Sequence, residues 1–224
     1  MTDFSDEASL PHLPPLLPIF PLDGAVLLPH GHLPLHVFEH RYRAMVEAAL
    51  GLGRMIGMIQ PRQVETHPIP DDAPIFEVGC AGRIVSFSET DDGRFLITLK
   101  GICRFRVADE LPLGDQPFRR VHPDFSPYLI DLETAAEPSL DRARLLAAAK
   151  AYLQAKSIAC EWSAVEAASI PAIVTSLAMI CPFETGEKQA LLESRSLTDQ
   201  GNMLISLFEM ALIENESGVT GLLH

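Results

Sequence analysis

From Ile75 to Val107 the chain runs largely as alternating apolar and polar side chains. A period of two fits a strand with one face packed and the other open. Val85 and Phe87 alternate with Ser86 and Ser88, and Phe95, Ile97 and Leu99 alternate with Leu96, Thr98 and Lys100. Asp91-Asp92-Gly93 lies between the two runs. Asp-Gly is a strong hairpin signal, because both residues tolerate positive φ. The pattern predicts an antiparallel hairpin with Val85, Phe87, Phe95, Ile97 and Leu99 turned to one packed face. Gly101 interrupts the second strand and predicts a bulge or a bend.

The β texture extends upstream. Apolar runs at 16–22 and 25–29 are bounded by Pro and Gly, and 54–61 reads as a buried strand. One helix interrupts them. Tyr42, Met45, Val46, Ala49 and Leu50 fall at helical spacing within Glu39 to Leu50, followed by Gly51. Past Pro138 the texture changes. Residues 139–156 are rich in good helix formers. Pro171 suits the first turn of a helix to Ile180. A short helix is expected from Glu184 or Thr185 to Glu193. A last one runs from Leu197 to Glu214, with Ser196 as its cap. The expected organisation is a flexible tail (1–13), a β-rich domain (14–125), a linker (126–138) and a helical domain (139–216), an α+β fold.

Charge narrows the function classes. The net charge is −13. Residues 1–125 carry 11 basic and 17 acidic side chains, and residues 126–224 carry 6 and 13, so both halves are acidic. Nucleic-acid binding and docking on anionic membranes depend on Lys and Arg facing phosphate, so both start at a disadvantage. No apolar run reaches the ~18 residues of a membrane span, and the acidic start is unlike a secretion signal. Cys80, Cys103, Cys160 and Cys181 form no CxxC pair and read as buried thiols in a reducing cytoplasm.

Three strings carry a resemblance. The first, at 20–50, has Phe20, Pro21, Leu22, Pro29, Leu35, Phe38, Glu39, Arg41 and Tyr42. The second, at 78–107, has Val78, Gly79, Asp92, Gly93, Gly101, Arg104 and Phe105. The third, at 187–212, has a Lys-Gln-x-Leu-Leu-Glu stretch from Lys188 to Glu193. Together they resemble the N-terminal substrate-binding domain of Lon-type proteases, with Cys80 where the family often has Thr. The resemblance implies a PUA-like β pseudo-barrel followed by an all-helical C-terminal bundle. It also implies a non-catalytic polypeptide-recognition module in protein quality control, an adaptor or regulator. The partners would be unfolded or tagged polypeptide, or a protease or chaperone. The chain has no Gly-Lys dipeptide for a phosphate-cradling loop and no GxSxG elbow, and no room for a further domain is expected after Glu214. No enzyme activity, catalytic residue, metal site or cofactor is therefore expected, and the substrate-binding residues stay unassigned. An RNA-binding PUA-like protein is the alternative.

The remaining chemistry-bearing residues read as structural. His30, His32, His36 and His40 lack an HExxH arrangement. Cys80 with His67, or Cys103 with His122, would make a nucleophile pair only by meeting in space. Glu39 suits a helix N-terminus, Tyr42 is expected to pack inward, and Arg41 to pair with a carboxylate. Arg104 and Arg106 flank Phe105 and are expected on a solvated strand face. With Arg83 and Arg94 they would make the best case for an RNA-binding patch. Trp162 is expected to pack in the core.

Overall fold

The Asp91-Asp92-Gly93 turn joins the two longest strands of the computed structural model, β4 (Val78–Glu89) and β5 (Phe95–Leu111). The structure describes residues 13–220 apart from 65, 67 and 134–136, and side chains as far as 213. Thr90 and Arg94 close the turn, with Arg94 O accepting from Thr90 N at 2.9 Å. The other strands are β1 (Leu17–Pro21), β2 (His32–Val37), β3 (Met55–Ile59) and β6 (Arg120–Asp124). They form one sheet in the order β2-β5-β4-β3-β1-β6, and β6 also pairs with the far half of β5. That last pairing closes β5, β4, β3, β1 and β6 into a ring. β1 and β3 are parallel and the other pairs antiparallel.

Closure sets what lies inside. Leu17, Ile19, Met55, Ile59, Ala81, Phe105 and Val121 form a separate small core. Phe105, fully buried, is the largest of them. Its ring lies where side chains at Gly57 and Gly79 would be. A Cβ on Gly79 would come 2.7 Å from Phe105 Cζ, and one on Gly57 3.0 Å. Two glycines thus make room for one phenyl ring at a crowded centre.

Helix α1 (His40–Gly51) follows β2 and buries Tyr42, Met45, Val46 and Ala49, the stripe expected from its spacing. Tyr42 packs on Phe20 with ring centroids 4.1 Å apart. After the ring come a 3-10 segment (Ser126–Leu132) and α2 (Arg142–Ala155), α3 (Trp162–Ala167), α4 (Ile170–Ile180), α5 (Thr185–Leu192) and α6 (Leu197–Thr220). Caps explain their starts. Asp141 accepts from Arg144 N, Ser169 from Ala172 N and Ser196 from Asp199 N. Glu184 and Glu187 form a capping box. The main core is continuous across both parts, joining Val26, Leu28, Met45 and Leu99 to Leu145, Val174, Leu191 and Phe208.

Several expectations change. Val85 and Phe87 are 48% and 42% exposed. The ladder shifts register between Ile84 and Ser86, which takes Val85 out of phase. Phe87 still lies 5.1 Å from Phe95, but at the outer end of the hairpin. The run at 25–29 forms no strand; Val26, Leu27 and Leu28 are buried without a ladder. β2, the 3-10 segment and α3 lie outside the elements expected from local pattern. Gly101 sits beside the Ala81/Gly82 register shift, as expected of a bulge. Trp162 opens α3 and packs against the core, with Lys150 Nζ 5.5 Å from its ring.

Candidate functional site

A hollow of about 920 Å³ lies where the β-rich and helical parts meet. Its floor is the segment from Leu28 to His32. Gly101 N donates to Gly31 O at 2.8 Å and His30 N donates to Gly101 O at 2.9 Å, which straps this segment onto β5. One wall is the first half of α4, with Ser169, Pro171, Thr175 and Ser176. Another is the start of α6, with Ser196, Leu197 and Thr198. Ile130 and Asp131, in the 3-10 segment, and Glu133 and Glu137, beyond it, form another edge, and Ile130 is 61% exposed.

Arg104 lies at the bottom of this cleft and is only 9% exposed, so the expectation of a solvated strand face was wrong. The outer side of β5 is covered there by the 3-10 segment and by the end of α5. Nε and Nη2 donate to the two Asp131 oxygens at 2.9 and 2.7 Å, a bidentate pair. Nη1 donates to the carbonyls of Leu192 (3.1 Å) and Ser194 (2.7 Å). A helix leaves its last carbonyls without partners. At α5 they are met from outside: Ala190 O by Ser194 Oγ, Leu191 O by Gln200 Nε2 and Leu192 O by Arg104. One guanidinium therefore ties β5, the 3-10 segment and the α5–α6 turn together. Asp131 lies in the stretch read as linker, and no local pattern marked it.

The Lys188-Gln189 string has a similar role. Gln60 Nε2, on a residue just after β3, donates to Gln189 Oε1 (3.0 Å) and Thr185 O (3.1 Å); Gln189 Nε2 donates to Val78 O (3.0 Å). Lys188 is buried and donates to Gly24 O and Met179 O. These bonds lock α5 to the strands. Arg41 pairs with Glu39 and Asp71 and donates to Ile69 O at 2.7 Å, so it pins the 69–71 loop to α1.

The four arginines of the imagined basic patch are not together. Arg94 pairs with Asp92 at the hairpin tip, just before β5 begins, Arg104 is buried on Asp131, and Arg106 lies in the far half of β5, roughly 40 Å of extended chain from Arg94. His36 lies in β2 and His40 opens α1, so no helix aligns them. Among the described residues no group of three or more His, Cys, Asp or Glu could hold a metal. His122 Nδ1 contacts Pro15 O at 3.0 Å, and Cys103 Sγ donates to Tyr128 O at 3.3 Å, so these two do not pair. His67 lies outside the described residues. No helix among the described residues is long and apolar enough to cross a membrane.

Burial raises the three buried thiols. Cys103 and Cys181 are pushed up to about 12, and Cys80 well above its ordinary value. Burial likewise pushes Tyr42 and Tyr152 up to about 12. The sign is fixed by linkage: the unfolded chain releases these protons first, so stability falls as pH rises through the ordinary thiol value of 9.0 toward the folded values. Burial lowers Lys188, which acts the other way and offsets part of one thiol. Between about pH 8 and pH 10 each thiol is expected to cost roughly 1.4 kcal/mol. Urea midpoints should drop steeply over that range, and Cys181→Ala should remove about a third of the drop. A flat profile would show that these thiols titrate as they do in water.

Residues 16–209 match the family model of the ATP-dependent protease La (LON) substrate-binding domain. Lon protease 2 of Thermus thermophilus is 26% identical over 214 residues, which is 91% of this chain and 25% of that protein. Lon protease 2 of Myxococcus xanthus is 31% identical over 97 residues, 43% of this chain and 12% of that protein. The chain thus spans a quarter or less of these two relatives. A Lon N-terminal domain protein from Xanthomonas campestris has the same fold at TM-score 0.57 and 22% identity, over 85% of this chain and 97% of that one. The N-terminal domain of the Mycobacterium avium complex Lon protease gives 0.56 and 18%, over 87% and 98%. With a closed ring, helices docked on it through Arg104 and Gln189, and a family match across nearly the whole described chain, this protein belongs to the LON substrate-binding domain family.

Proposed function

We propose that this chain is a non-catalytic polypeptide-recognition module that acts as an adaptor or regulator in protein quality control. The observation that carries it is the open cleft of about 920 Å³ to which both parts of the chain contribute. Its lining combines apolar groups such as Ile130 and Leu197 with hydroxyls, a mixture able to meet both the side chains and the backbone of a peptide. On the same reading the five-strand ring is a PUA-like pseudo-barrel (within 14–125) and the helices after 139 form a bundle. Affinity would come from burying apolar side chains, less the cost of ordering the peptide.

The test is fluorescence anisotropy of a labelled, permanently unfolded casein titrated with the full chain, alongside a labelled single-stranded RNA. Saturable casein binding that survives raised salt is the expected result. RNA binding that weakens steeply with salt would replace this reading. If neither probe binds, capture of generic unfolded polypeptide is ruled out.

A further inference from the structure

Arg104 and Asp131 neutralise each other at the bottom of the cleft, so its electrostatics are set by what remains at the rim. Glu133, Glu137 and Arg195 line the cleft and are exposed. Among the described residues none of their charged groups makes an ion pair or a hydrogen bond. The rim therefore carries one excess negative charge, inside a chain whose net charge is −13. A cleft with low-dielectric walls concentrates such a field and raises the local concentration of ligands of opposite sign.

The walls set the other requirement. Ser169 and Ser196 use their oxygens to accept from the first turns of α4 and α6, and their hydroxyl protons remain free among the described residues. Ser176 and Thr198 line the same walls without side-chain partners there. Hydroxyls of this kind bond to any peptide backbone, whereas Ile130, 61% exposed, and the half-buried Leu197 meet apolar side chains. From this combination we infer that the cleft selects extended peptide segments in which a Lys or Arg accompanies apolar residues, the basic group meeting Glu133 and Glu137. The inference rests on the polypeptide-recognition reading above and adds its selectivity. Acidic segments are disfavoured by the rim and by the chain as a whole.

Two labelled peptides of about ten residues test it, identical in apolar and Ser content, one with two arginines and the other with two glutamates. The wild-type chain is expected to bind the arginine peptide at least about ten-fold more tightly at low salt. Glu133→Gln combined with Glu137→Gln should shrink that ratio to about two-fold. Both positions are exposed, so folding should be unaffected, and circular dichroism checks this. Ser176→Trp, which fills the cleft from α4, should weaken the arginine peptide about ten-fold. Equal binding of the two peptides by the wild type overturns the inference, as does a ratio unchanged in the double variant. If casein binds while neither peptide does, polypeptide recognition stands but this selectivity fails. If casein also fails, both fall together.

Discussion

Arg104→Met is expected to destabilise the protein by about 3–5 kcal/mol, the cost of leaving one member of a buried ion pair without its partner. Three charge-assisted bonds from Arg104 to Asp131 would become one, because only the backbone N–H at 2.9 Å remains. The Leu192 and Ser194 carbonyls would also lose a donor in a buried site. Against a typical stability of about 5–15 kcal/mol this is a large fraction. The melting temperature should fall by roughly 10 °C. Arg104→Lys should recover little, because an ammonium cannot make the bidentate pair and reach both carbonyls. Combining Arg104→Met with Asp131→Leu should recover much of the loss, since the orphaned charge is then gone. Urea unfolding of the wild type, the single variants Arg104→Met and Asp131→Leu, and the double variant closes the cycle. A single-variant loss below about 1 kcal/mol would mean that Arg104 is peripheral to the joint between strands and helices. Amide exchange should speed up in 126–133 and 192–198, the two segments that Arg104 holds.

Gly101→Ala is expected to cost about 3 kcal/mol or more, for a different reason. A Cβ at Gly101 would overlap the Leu28 carbonyl oxygen and lie 2.8 Å from its carbon. Both are backbone atoms, so no side-chain rotation relieves the clash. Relief requires lifting the 28–31 segment off β5 and breaking the His30–Gly101 and Gly101–Gly31 bonds. That segment is the floor of the cleft, so peptide binding should fall along with stability. Gly186→Ala is the contrast. Gly186 lies in the first turn of α5 with no atom within 4 Å of an added Cβ. There alanine should be neutral or stabilise by about 0.5–1 kcal/mol, through helix propensity and a less flexible unfolded chain. If both glycines respond alike to alanine, close backbone approach is not the reason for Gly101.

Gly101 and Arg104 also explain much of the second recognisable string, at 78–107. In Gly101-x-x-Arg104-Phe105 the glycine admits the Leu28 backbone, the arginine faces outward to Asp131 and α5, and the phenylalanine fills the ring. In Val78-Gly79 the glycine makes room for that phenyl ring, and the Val78 carbonyl receives Gln189. These motif residues hold the two parts of the chain together. Of the matched positions themselves, only Pro29, Arg104 and Leu192 line the cleft they support.

Local pattern determined a good deal. The β4–β5 hairpin, the buried 54–61 strand, α1 within one residue at either end and the starts of α4, α5 and α6 follow from side-chain period, Asp-Gly chemistry and caps. Each of these acts between residues a few positions apart, so the order of residues alone expresses it. Tertiary structure decided the rest. Val85 reads inward by its period, yet a register shift turns it out. Arg104 reads as solvent-facing, yet α5, almost ninety residues later, covers it. Asp131 looks like linker and is buried because Arg104 is there to meet it. The ring closes because the far half of β5 finds β6, and the cleft exists only where the 28–32 segment, α4 and α6 converge. Which surface covers a strand face depends on free energy summed over the whole chain, and no local period encodes it.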